Sequence, residues 1–305
     1  MIQIAKTIIY ICFIILGAAF IVHTLVYLIP GDPAVMLAGE YANPDDIDKI
    51  RQELSLDESF WVRFISYVLK LFMLDMGKSV YSGLPVLNTI IERFPATLLL
   101  ASTAMFIAAC LGITSGIIAA INKGRFIETV VLSISSLFIS TPIFVTCFIL
   151  TLVFSYYLNL LPPSGRSGFN PLYIILPSFA LATRSIALIV RITRNELLTV
   201  LNSDYIRTVK ALGFPKRKVI LVFALKNIMI PVVTIILLDF GAYLGGAVVT
   251  ESIFSWPGIG RLLIVSVYKR DIPMIQGVIL FGAFIFIIIG LLVDKLKFFM
   301  GNSEK

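Results

Sequence analysis

Charge is scarce in this chain. Charged residues fill 14% of 305 positions, against the roughly 25% with which a water-soluble domain keeps its surface wet. An ordinary soluble domain is excluded. Cysteine is also rare: Cys12, Cys110 and Cys147 each fall inside an apolar run with no close spacing, which excludes a disulfide framework and a zinc site and leaves small buried apolar residues. His23 is the single histidine, so a Ser–His pair has no second site on which to form. It is expected to be a packed, hydrogen-bonded residue of the first apolar run and not a metal ligand. An intramembrane aspartyl mechanism needs two carboxylates that meet, yet Asp239 is central to one apolar run and Asp294 sits at the end of another. The sequence has no GxxxxGK[ST] stretch, so the chain does not itself hydrolyse ATP. The alternating ten-residue segments of a barrel and the inverted repeat of interrupted helices found in secondary transporters are missing too.

What is present is apolar. Hydrophobic residues make up 58% of the chain, 23 of them Phe, and the mean hydropathy is +0.97. Six runs reach the roughly 20 residues that cross a bilayer as a helix: about 7–29, 97–121, 127–156, 173–192, 228–249 and 273–293. The expected fold is an all-α integral membrane protein. The first run exceeds the apolar core of a secretory signal and no small-x-small site follows it, so it is read as a retained anchor.

Orientation follows the basic residues. With the N-terminus inside, Lys6, Lys123, Arg125, eight residues from Arg191 to Lys226, and Lys295, Lys297 and Lys305 are internal. The short outer loops keep Arg166, Arg261, Lys269 and Arg270. This bias places both termini in the cytoplasm. The net charge of +7 is then a topology signal, and no nucleic-acid partner is implied.

Three regions result: an N-terminal transmembrane helix (1–30), an extracytoplasmic loop (31–95) and a membrane core (96–305). In the loop, ANPDDIDKIRQEL opens like a helix, with Asn43 as cap, Pro44 in the first turn and Asp45 and Asp46 at its positive end. SFWVRFISYVLKLFML repeats apolar residues near a 3.6 period around Arg63 and Lys70, the profile of a helix in the membrane interface more than of a seventh span. In 250–276, a Trp256-Pro257-Gly258 turn precedes an apolar run too short to cross, which suits a re-entrant or interfacial helix.

The main internal segment spans about 193–227, and within it SDYIRTVKALGFPKRK (203–218) carries five basic residues and one acid. Ser203 or Asp204 can cap a helix with Tyr205, Ile206, Val209 and Leu212 along one face and Arg207 and Lys210 on another. Gly213 supplies a left-handed stop and Pro215 bars continuation. A helix of about nine residues, roughly 14 Å long, is too short to stand alone in water. Its apolar face therefore needs cover, from the anionic inner leaflet or from a cleft on a soluble partner.

Six stretches, in order, resemble one family. LIPGDPAVMLAG near residue 28, RFPATLLLA near 93, LPPSG near 161, RITRNELLTVLNSDYIRT at 191–208, ALGFPKRKVILVFALKNIMIPVV at 211–233 and GGAVVTESIFSWPGIGRLL at 245–263 look like the first permease of binding-protein-dependent ABC importers of the dipeptide, oligopeptide and nickel group. The chain departs from that pattern in Thr208-Val209-Lys210-Ala211-Leu212 before Gly213, and in the outer stretches ELSLDES and MLDMGKS. The resemblance implies a type I ABC importer permease fold with six transmembrane helices, a long outer loop after the first and a coupling helix between the fourth and fifth. It implies a prokaryotic inner-membrane location and, as partners, a second permease forming a heterodimer, two cytoplasmic ATPases and an extracytoplasmic solute-binding protein, besides membrane lipid. The ATPases would use ATP and Mg, and this chain would bind no cofactor. The solute would be a di- or oligopeptide, or alternatively nickel or a metal chelate. Asp204, Tyr205, Arg207, Ala211, Gly213 and Pro215 would engage an ATPase groove. Pro231 would kink the start of the fifth span, and Gly241, Gly245 and Gly246 would admit close helix approach.

Ionisable groups at mid-membrane usually face a bundle interior or a wet cavity. Arg184 and Asp239 are such groups. Either they line a translocation pathway and meet a charged solute group, or they pair with each other to hold two helices together.

Overall fold

The computed structural model describes residues 2–28, 34, 43–53, 57–73, 75–165 and 170–302. Apart from Leu28 and Ala34, the LIPGDPAVMLAG stretch lies outside the described residues, as do residues 54–56 of ELSLDES, Leu74 of MLDMGKS, Arg166 and Lys305. Among the described residues the chain is helical.

Helix α1 (Ile2–Leu28) is followed by α2 (Pro44–Glu53) and α3 (Phe60–Phe72). Pro44 does open α2, and the Asn43 carbonyl accepts the Ile47 N–H at 3.2 Å. Helix α3 buries none of its residues and meets α1 through aromatic side chains. At 13 residues it is too short for a seventh crossing.

Three long helices form the main core. Helix α4 (Val86–Ile121) and α7 (Leu172–Leu201) pack side by side, with α9 (Lys216–Leu244) against both. Their close approach has a simple cause. A Cβ on Gly112 would stand 2.7 Å from Cβ of Ile189, and one on Gly116 would stand 2.6 Å from Cβ of Thr193 and 2.9 Å from the Val190 carbonyl. Small residues one turn apart let the two backbones touch. Leu100, Ile189, Leu197 and Ile228 are fully buried at this junction.

Several expected boundaries move. Helix α4 begins at Val86 and runs through Pro95, eleven positions before the expected start at 97. Helix α9 begins at Lys216 instead of 228, so Pro231 lies in its interior and not at its start. A π-helical stretch at Val219–Ala224 precedes Pro231 by several residues.

The expected span at 127–156 is two helices, α5 (Phe126–Ser140) and a second piece from Ile143 to Tyr157, bent by 107°. The second piece comprises α6 (Ile143–Leu150) and a π-helical turn, Thr151–Tyr157. Proline forces the bend: it lacks an N–H and pushes the residue before it out of the helical region. Thr141, preceding Pro142, is extended at φ −86°, ψ 120°.

The apolar run after Trp256 becomes α11 (Ile259–Tyr268), preceded by α10 (Val248–Ile253), and α12 (Ile272–Asn302) closes the chain. Among the described residues four helices, α4, α7, α9 and α12, are long and apolar enough to cross a membrane, and the bent pair raises this to five. Helix α1 has 27 residues and contains nearly all of the first apolar run, 7–29.

Candidate functional site

The expected coupling segment forms helix α8 (Asp204–Ala211) between α7 and α9. Its N-terminus departs from expectation. Neither Ser203 nor Asp204 caps it by a side-chain hydrogen bond; the Ser203 hydroxyl instead donates back to the Val200 carbonyl at 2.7 Å. The C-terminus is as expected, with Gly213 left-handed at φ +81° and its N–H on the Lys210 carbonyl at 3.0 Å. Pro215 is extended and starts α9.

Half of the apolar face is already covered, while Tyr205 and Leu212 stay exposed. Ile206 is fully buried and Val209 nearly so, packed with Leu197, Val219, Ile220 and Ala224 of the same chain. Brevity alone therefore demands no partner: α7 and α9 supply the tertiary contact that a short helix needs. What faces outward is different. Asp204, Arg207 and Ala211 are three or four residues apart and share the exposed side opposite Ile206 and Val209. Arg207 Nη1 lies 3.1 Å from Asp204 Oδ1, both side chains largely in solvent, so this pair adds a few tenths of a kcal/mol at most. Tyr205 is half exposed at the edge, its ring 6.5 Å from that of Phe223. The Phe223 ring in turn lies tilted 5.1 Å from that of Phe214, over which Lys218 Nζ sits at 4.8 Å. All six residues expected to act together are exposed.

The polar groups within the core are arranged otherwise than a simple ion pair. Asp239 on α9 accepts a hydrogen bond from the Ser185 hydroxyl of α7 at 2.5 Å. That hydroxyl is 2.6 Å from the Tyr243 hydroxyl, which donates to the Leu181 carbonyl at 2.8 Å. Arg184 is exposed. Among the described residues no ion pair joins it to Asp239.

Three other polar clasps escaped the sequence reading. Arg194 of α7 grips Glu128 of α5 through Nε and Nη2, at 2.9 and 2.5 Å, while Glu128 also accepts the Gly124 N–H at 2.6 Å. Asp271 heads α12, accepting the Met274 N–H at 3.4 Å, and takes the Ser79 hydroxyl at 2.5 Å. Glu251 is fully buried at the α10–α11 turn. Its Oε1 accepts the Thr97 hydroxyl at 2.7 Å and its Oε2 the Arg261 N–H at 3.0 Å. Thr97 also accepts the Ile259 N–H at 2.9 Å, so two side chains serve the unpaired donors of α11. Burial pushes the Glu251 carboxyl above the usual carboxylate range, and these donors pull it back. An acid in the otherwise apolar GGAVVTESIF was the available signal.

His23 is packed as expected, among Phe60, Phe64 and Tyr67, but neither ring nitrogen is hydrogen-bonded to a described residue. Among the described residues no three His, Cys, Asp or Glu side chains are placed to hold a metal ion. Gly241 does allow close approach, a Cβ there meeting Ile289 at 3.0 Å, and Gly246 lies 3.1 Å from the Cα of Gly260 by the same measure.

Comparison with known proteins agrees with this architecture. Residues 112–300 match the model of the binding-protein-dependent transport system inner membrane component, and residues 1–101 match the N-terminal part of such membrane components. The chain is 37% identical over 311 residues to the dipeptide transport system permease protein DppB of Escherichia coli K12, covering 92% of each. It is 41% identical over 281 residues to the glutathione transport system permease protein GsiC of the same strain, covering 91% of each. Among solved structures, an inward-facing MetNI methionine ABC transporter chain superposes with a TM-score of 0.59 at 15% identity, over 70% of this chain and 97% of that one, a likeness of fold. The chain belongs to the family of inner-membrane permease components of binding-protein-dependent transport systems.

Proposed function

We propose that this chain is one of two permease subunits of an ATP-driven importer of short peptides. The observation that carries the solute class is end-to-end similarity to permeases named for dipeptides and for glutathione, both short peptides. Helix α8 is the contact for an ATPase: a glycine-stopped helix whose inner face is bolted to α7 and α9 can pass a push from below into both as one body. Asp204, Tyr205, Arg207, Ala211, Gly213 and Pro215 form that contact.

The second permease is a distinct homologous chain, and two cytoplasmic ATPases and an extracytoplasmic binding protein complete the machine. ATP and Mg belong to the ATPases. Counting α1 and the bent α5–α6 pair, the chain crosses the membrane six times with both termini inside. Arg184 and Asp239 line the pathway.

Reconstitution of the complete transporter tests this reading. Uptake of a labelled dipeptide should require ATP and the loaded binding protein, and vanadate should abolish it. Uptake by this chain without ATPases would overturn the reading, and nickel uptake without peptide uptake would replace the solute.

A further inference from the structure

Arg184 and Asp239 are opposite charges on adjoining helices, and they stay apart. Asp239 is hydrogen-bonded to Ser185, the residue next to Arg184 in sequence, yet no ion pair forms between the two charges among the described residues. Asp239 meets neutral hydroxyls instead. Ser185 fixes Oδ2 of Asp239, and Tyr243, four residues along α9, closes on the same hydroxyl while anchored to the Leu181 carbonyl. Oδ1 of Asp239 has no partner among the described residues.

Direction matters as well. Residues 185–187 and 180–183 of α7 are buried, and Arg184 between them is exposed. Ser185 is turned about 100° from it around the helix, so α9 occupies one side and Arg184 points along the side that α7 leaves open. An arginine on a lipid-facing flank is unfavourable, and intramembrane charges gather on water-filled cavities. An open side that carries an arginine is the side on which a water-filled pathway is expected.

We propose that Arg184 and Asp239 form a two-point subsite for the zwitterionic backbone of a short peptide. Asp239 takes the α-ammonium through Oδ1, and the Arg184 guanidinium takes the α-carboxylate as a forked donor. The proposal rests on the peptide-importer reading and names the part of the peptide that the pathway recognises, the free termini, while leaving side chains unread. A peptide bridging the two charges gives each the opposite charge that it does not find in the other.

The test uses the reconstituted transporter with its binding protein, comparing wild type with Asp239→Asn, Arg184→Gln and the exchange variant Arg184→Asp/Asp239→Arg. Two quantities are read: uptake of a labelled dipeptide, and ATPase activity stimulated by peptide-loaded binding protein. Each single variant is expected to lose at least tenfold in uptake while stimulated ATPase stays within about twofold of wild type, and the exchange variant should do no better. Wild-type uptake in either single variant overturns the subsite. So does recovery in the exchange variant, which would mark a structural ion pair. Asp239→Asn keeps the acceptor for Ser185; should it still fail to assemble, Arg184→Gln, on the exposed side, decides alone. Absence of dipeptide uptake in the wild type would instead remove the importer reading, and the subsite with it.

Discussion

The Thr97 hydroxyl donates to Glu251 Oε1 at 2.7 Å, joining residues 154 positions apart and fastening the α10–α11 turn to α4. The same carboxylate receives the Arg261 N–H, and Trp256 Nε1 donates to the Ala96 carbonyl at 2.8 Å beside it. A turn held by a buried carboxylate on three elements behaves as part of the core. Glu251→Ala would strand the Arg261 N–H and empty a fully buried site, a loss of about 2–4 kcal/mol. Glu251→Gln keeps the volume and an acceptor and should lose about 1 kcal/mol. Thermal unfolding of the purified complex in detergent checks the order, and equal midpoints for the two variants would contradict it.

Two glycines set how closely α4 and α7 pack. A methyl on Gly116 would intrude on the Thr193 side chain and the Val190 carbonyl, whereas one on Gly290 of α12 meets nothing within 4 Å. Gly116→Ala should therefore destabilise by about 1–3 kcal/mol, while Gly290→Ala should be neutral or gain up to about 1 kcal/mol from helix propensity. The same unfolding assay compares them. A neutral Gly116→Ala would mean that the helices separate without penalty.

Local signals in the sequence translated well into local structure. Gly213 and Pro215 stop α8 and start α9 where their backbone preferences require. The helices of the outer loop followed from period and from Pro44. Distance in sequence hid the rest. Nothing near Glu251 announces Thr97, and nothing near Arg194 announces Glu128. The bend at Thr141–Pro142 was masked by hydropathy, which runs unbroken across it although the proline was visible. The cover for Ile206 and Val209 comes from Leu197 and Val219, residues just outside the short helix whose stability was in question. At Arg184 and Asp239 composition singled out two charges in apolar runs, but the Ser185 and Tyr243 hydroxyls beside Asp239 are visible only in three dimensions.

Helix α3 has three sides. Phe60, Phe64 and Tyr67 meet Phe20 and His23 of α1, and Arg63 and Lys70 form a narrow polar band. Trp61, Val62, Ile65, Leu69 and Phe72 stay exposed. Such a free apolar side beside a basic band fits acyl chains beneath lipid phosphates. The chain has two tryptophans, and Trp256 is 2% exposed against 61% for Trp61, which makes Trp61 the natural reporter. In nanodiscs of brominated lipid, the fluorescence lost on bromination should fall sharply in Trp61→Phe relative to wild type. Quenching of Trp61 by aqueous iodide but not by bromolipid would place α3 in water, and quenching by neither would place it under another subunit.

Gly213 allows a separate test of α8 as the transmission element. Its φ of +81° asks about 1–2 kcal/mol of an ordinary L-residue, less of Asp or Asn, and a Cβ there meets nothing within 4 Å. Folding and insertion should thus survive Gly213→Asp. The new carboxylate would sit at the negative end of α8, beside the basic Lys216–Lys218 stretch, on the surface assigned to the ATPase. Peptide uptake should fall at least tenfold with the protein still inserted and basal ATPase activity retained. Gly213→Asn, which shares the backbone tolerance and lacks the charge, should keep most of the uptake. Wild-type uptake in Gly213→Asp would refute the assignment of this surface. Equal loss in both variants would mean that the left-handed turn itself, and not its charge, carries the coupling.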